Sequence, residues 1–184
     1  VVKKRSVPEN TTHRIYSLTD LGDLEHDLTF ILQKLESIYI IDFEGNRINI
    51  SPNIDIKTEA FFTTDDNTKE FNSHIPTFKS VHRDMYSFVE SLSRLKNGKF
   101  DINDFEVKYP DFKEFRLLNN MFKHPEKKSH EILFTKVVHI FQNQFSLMCS
   151  FKYQDSTKNL MYSSFIILFF NIFFDLTAIT LKKS

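Results

Sequence analysis

Near its end the chain reads NLMYSSFIILFFNIFFDLTAITL, Asn159 to Leu181, and no other stretch restricts the fold as much. A helix over these residues is apolar on nearly every side. Two environments accept such a helix: the centre of a helical bundle and the interior of a bilayer. The run approaches the ~20 residues that span a hydrocarbon core. Lys182 and Lys183 follow it, as in a tail anchor. Asn171 and Asp175 weigh against the bilayer, because a carboxylate in hydrocarbon is costly. The preferred reading is therefore a buried core helix, capped by Asp155 or Ser156, with a membrane partner disfavoured.

A bundle needs enough chain to surround that helix, and 184 residues suit one helical domain over 1–184 with a polar N-terminal arm over 1–16. The chain has 21 Phe and only 3 Gly, which predicts a bulky aromatic core. So few glycines argue against a phosphate-binding glycine loop and against an all-β fold built on tight turns. Twenty-four basic side chains balance 24 acidic ones. A dedicated nucleic-acid binder usually carries a basic excess, so any such contact must come from a local patch. Cys149 stands alone, which excludes a disulfide framework and a thiolate metal cluster. The reading is a reducing, cytoplasmic setting. The opening Val1-Val2-Lys3-Lys4-Arg5 lacks the apolar core of a signal peptide.

Leu21, Leu24, Leu28, Ile31, Leu32, Leu35 and Ile38 recur at helical spacing, with Thr19 or Asp20 as cap. Ile40 to Ile50 alternates around Glu44-Gly45-Asn46, which predicts a short hairpin that Pro52 ends. Thr63 to Thr68 reads as a polar loop. Phe78, Val81, Met85, Phe88, Val89, Leu92 and Leu95 predict a second helix over Thr77–Lys96, ended by Asn97-Gly98. Phe100 to Tyr109 reads as a connector, and Pro110 opens a third helix that runs to Lys123. From Ser129, the residues Leu133, Val137, Ile140, Phe141 and Met148 fit a further helix. The same segment is rich in β-branched and aromatic residues, so a hairpin over 132–151 is the rival reading. The expected fold is mainly α: a bundle of about four to five helices with a small hairpin or irregular insert after the first helix.

Functional signal concentrates in RLLNNMFKHP, Arg116 to Pro125. On a helical wheel Phe112, Phe115, Leu118 and Phe122 fall on one side, with Met121 beside them. Asn119, Lys123, Arg116, Asn120 and His124 fill one arc of roughly 140° on the other. Arg116, Asn120 and His124 are successive i, i+4 neighbours. Lys127 and Lys128 make the segment locally basic. Such a group suits phosphodiester chemistry. A neutral His124 can take the proton of a ribose 2′-hydroxyl, and Arg116 can hold the phosphate oxygens. Asn119, Asn120, Lys123, Lys127 and Lys128 would bind the nucleic acid. Attack by a 2′-hydroxyl needs no metal, and no cofactor is implied. The bland alternative is the polar arc of any surface helix, with its cations favoured by the C-terminal end of the dipole.

The stretch NNMFKH, Asn119 to His124, resembles the signature of the HEPN family, compact helical domains of prokaryotic defence and toxin–antitoxin systems. That signature is an Arg, usually followed by Asn, Asp or His, with four to six intervening residues before a His. Here the position beside Asn120 holds Asn119, and the available Arg116 is separated from His124 by seven intervening residues. The resemblance covers Pro110 to Lys128. It implies a helical bundle, commonly a homodimer with Arg and His meeting across a cleft, and metal-independent RNA cleavage. It also implies an alternative, since some members lack a working motif and serve as binding or scaffolding modules for a protein partner. A membrane-anchored adaptor using the last helix is a reading of a different class.

Other constellations carry less. His74, His82, His130 and His139 have no spacing that joins two imidazoles and a carboxylate on one helix face. Asp65-Asp66 reads as a solvated turn and Cys149 as an inert core thiol.

Overall fold

A computed structural model describes residues 18–41, 44–50, 61–62, 68–124, 132–139, 144–153 and 156–181. Among these the fold is mainly helical, with five helices and a hairpin after the first, the fold class that the sequence predicts. Helix α1, Leu18–Glu36, turns Ile31 and Leu35 inward, and Ile38 is sealed just beyond it. Its Lys34 reaches across to α2, Thr68–Asn97, where Nζ donates to Ser80 Oγ at 2.7 Å and meets Asp84 Oδ2 at 2.5 Å. Strand β1, Tyr39–Ile41, pairs antiparallel with β2, Arg47–Asn49, and their buried Ile40 and Ile48 stand opposite each other. The turn between them needs Gly45, whose φ of +85° other residues rarely adopt.

Helix α2 begins nine residues ahead of the expected Thr77 and takes Pro76 into its interior. A proline there loses one i→i−4 bond. Phe78, Val81, Met85, Phe88, Val89 and Leu92 anchor the helix just past it, all buried. Gly98 ends the helix as expected, with φ +77° and its N–H donating to the Arg94 carbonyl at 2.8 Å. The expected connector contains a short helix, α3, Ile102–Lys108. Asp101 caps it by accepting from the N–H groups of Asn103 and Asp104. Helix α4, Phe112–Lys123, follows.

The largest correction lies in the last third. The preferred helix from Ser129 onward is instead two strands, β4, Ile132–His139, and β5, Gln144–Tyr153, in continuous antiparallel register. The rival hairpin reading holds. The reason is visible in β5, where Phe145, Leu147, Cys149 and Phe151 alternate into the core at 0–2% exposure. The expected cap at Asp155 or Ser156 is also displaced. Ser156–Met161 forms strand β6, paired with β5, and the last helix, α5, starts at Tyr162 and runs to Leu181. With β3, Phe61–Phe62, the four strands form one antiparallel sheet in the order β3-β4-β5-β6.

Helix α5 packs against α2 and β5. Its Phe165, Ile166, Phe169, Ile172 and Leu176 are buried, in line with the core-helix reading. The N–H of Ser163, in its first turn, donates to Ser146 Oγ of β5 at 3.2 Å. Asp175 accepts from the Tyr109 hydroxyl and lies 2.6 Å from Lys108 Nζ. Those two donors, Lys108 first, hold the Asp175 carboxyl below its usual range. No helix among the described residues is long and apolar enough to cross a membrane.

Candidate functional site

Helix α4 buries Phe112, Phe115, Leu118, Met121 and Phe122, the side expected to be apolar. The expected polar arc does not survive whole. Asn119 is fully buried, and neither atom of its amide has a hydrogen-bond partner. Its place on the wheel explains this. At about 100° per residue it lies roughly 40° from Phe115 and 20° from Phe112, inside the apolar face. The expectation that Asn119 contacts nucleic acid is therefore corrected: its side chain belongs to the core.

The remaining members divide along the helix. Arg116 points toward α3, where its Nε lies 2.6 Å from Glu106 Oε1. Lys123 sits over the Tyr86 ring of α2, 5.5 Å from its centroid. Asn120 is exposed, and its carbonyl accepts from the N–H of His124 at 3.2 Å. His124 itself is the C-terminal cap residue of α4 and is exposed. Arg116 and His124 stand eight residues apart, about 12 Å along the helix axis. Lys127 and Lys128 lie outside the described residues, as do His130 and Asp65-Asp66.

Arg116 and Asn120 do share a hollow. A groove of about 500 Å³ runs between α4 and β6, lined by Lys113, Glu114, Arg116, Asn120 and Lys158 among others. His124 is not among its walls. The groove mixes charges that are already engaged. Lys158 Nζ lies 2.6 Å from Glu114 Oε1, as Arg116 lies against Glu106. Both pairs are partly exposed, so each contributes little to stability but does fix the side chains that line the hollow.

Glu106 and Lys158 are the neighbours of the candidate site that the sequence concealed. Glu106 sits on a helix read as a connector, and Lys158 on a strand read as the start of a helix. Their contacts join residues 10 and 44 positions apart on different elements, beyond the reach of any local pattern.

Three other ionisable groups among the described residues lie in the core. Burial pushes the Cys149 thiol up to about 12, so it is a neutral core group, as read. His82 is fully enclosed, and burial lowers it to about 4 even though Phe115 bonds its ring. Burial, with Glu90 next, raises the Tyr86 phenol. Among the described residues no group of three or more His, Cys, Asp or Glu could hold a metal ion. No family model, curated protein or solved structure matches this chain.

Proposed function

We propose that this protein is a HEPN-like module of prokaryotic defence or toxin–antitoxin type that works by binding a protein partner along the outer face of α4, not by cutting RNA. The observation that carries the reading is the fate of the four motif residues. Arg116 is held by Glu106, Asn119 is buried, and the groove takes in Arg116 and Asn120 but not His124. Cleavage needs an imidazole and a guanidinium on one phosphate, within hydrogen-bond reach of the reacting atoms. About 12 Å of helix separates these two within one chain. The groove also interleaves Lys113, Arg116 and Lys158 with Glu114. Interspersed signs suit the polar rim of a protein interface better than a phosphate backbone, which asks for uncompensated cations.

One observation favours a second reading. The exposed cap position of His124 leaves its ring at the surface, where a second copy of the chain could supply the missing guanidinium. In that case the protein is a metal-independent endoribonuclease assembled as a homodimer. An RNase assay in EDTA decides between them, run on wild type, Arg116→Ala and His124→Ala, with RNA affinity followed by fluorescence anisotropy. The binding reading expects no cleavage above background and no salt-sensitive RNA affinity in any of the three. Cleavage by wild type that both substitutions abolish overturns it and establishes the nuclease.

A further inference from the structure

The seam between α2 and α4 contains a polar site inside an aromatic cage. His82 of α2 is fully buried, ringed by Phe115, Phe122, Tyr162 and Phe165 at centroid distances of 4.2 to 5.9 Å. Its Nε2 lies 2.8 Å from the Phe115 carbonyl oxygen. A carbonyl only accepts, so Nε2 carries the proton and Nδ1 presents a lone pair. That Nδ1 is buried and has no hydrogen-bond partner.

Helix geometry turns Asn119 toward the same seam. It occupies the same face of α4 as Phe115 and Phe122, within roughly 60° of both, and between them along the axis. Both of those rings touch His82. The helix also brings the Asn119 N–H to the same Phe115 carbonyl that His82 bonds, since N–H(i) pairs with C=O(i−4). Three buried polar atoms without a protein partner therefore face this seam: the Nδ1 lone pair, an amide NH₂ with two donors and an amide oxygen.

Burying such groups without a partner is unfavourable, because each loses its bonds to water and gains none. Buried waters typically make about three hydrogen bonds to such groups. We infer that the seam is a specific site for one ordered water, which donates to His82 Nδ1 and bonds the Asn119 amide. The chemistry requires a guest that is small, uncharged and both donor and acceptor. The carbonyl of Phe115 is already shared by His82 and the helix, so it fixes the ring while the water fixes the amide. Together they set the height of α4 against α2, and so the positions of Arg116, Asn120 and His124 along that helix.

The test is a crystal structure at better than 2 Å, with long-range ¹H–¹⁵N spectra of histidine-labelled wild-type protein. The expected result is a water within about 3.2 Å of both Nδ1 and an Asn119 amide atom, with His82 as the Nε2–H tautomer. An Nδ1–H tautomer, a direct Asn119–His82 bond with no solvent peak, or an Asn119 side chain turned out to bulk water each overturns it. Asn119→Leu provides a second arm: the water peak is lost and the Nδ1 resonance moves toward that of an unbonded ring nitrogen. The wild-type result decides the matter alone if that variant fails to fold.

Discussion

His82 holds an imidazole where water cannot solvate a charge. It is neutral in the fold because burial lowers its pKa from about 6.5 to about 4. The unfolded chain takes up a proton below about 6.5, so stability is complete above that value and falls as the pH drops toward 4. The full loss is on the order of 3 kcal/mol, from 1.36 kcal/mol per unit. Urea unfolding between pH 7 and 4 should show this slope in wild type, and His82→Phe should flatten it. Cys149 yields a second outcome at the same scale. A buried thiol pushed up to about 12 should resist iodoacetamide at pH 8 in the native protein and react on unfolding. Side chains of this kind were partly legible from sequence. The inert thiol followed from its apolar neighbours, whereas Asn119 was misplaced by chemistry, since a wheel drawn by polarity assigns any amide to the wet side. The angle, 40° from Phe115, was the better guide.

At the scale of elements, the long helices were readable because each repeats its apolar residues over several turns. Ile31, Leu35 and Ile38, like Val81, Met85, Val89 and Leu92, are buried as their spacing requires. The hairpin β4–β5 was harder. Its residues fit a helical template and a strand template at once, and only the alternation Phe145, Leu147, Cys149, Phe151 separates the two. That alternation sets a direct expectation. Leu147→Ala, at zero exposure, should cost about 2–5 kcal/mol. Leu133→Ala in the paired strand, 65% exposed, should change stability by no more than about 0.5 kcal/mol. Denaturant titration of the two variants compares them, and equal effects would contradict the strand assignment. The short helix α3 escaped notice because seven residues hold too few turns to show a period, though Asp101 with Asp104 behind it was an available cap signal.

At the scale of the molecule, Asp175 shows how an apolar helix is tied to its surroundings. The carboxylate that weighed against a bilayer bonds Tyr109 and Lys108, while Lys96 Nζ donates to its backbone carbonyl at 3.4 Å. These bonds fasten the segment that contains α3 to α5. Lys108→Ala with Tyr109→Phe should therefore speed amide exchange across residues 102–108 and leave α2 protected, as measured by hydrogen–deuterium exchange. Unchanged exchange there would mean that Phe105, packed on Phe100 and Phe112, holds α3 by itself. The groove beside α4 could not be foreseen, because its walls come from segments that only the finished fold brings together.

The hydroxyl of Ser146 that receives the first turn of α5 has a further consequence for how the molecule is made. Among the described residues, the elements this greasy segment mainly rests on, α2 and β5, precede it in the chain. Translation proceeds from the N-terminal side at about 5–20 residues per second. The stretch most prone to clump with its own kind thus leaves the ribosome last among its neighbours, into a berth already laid out for it.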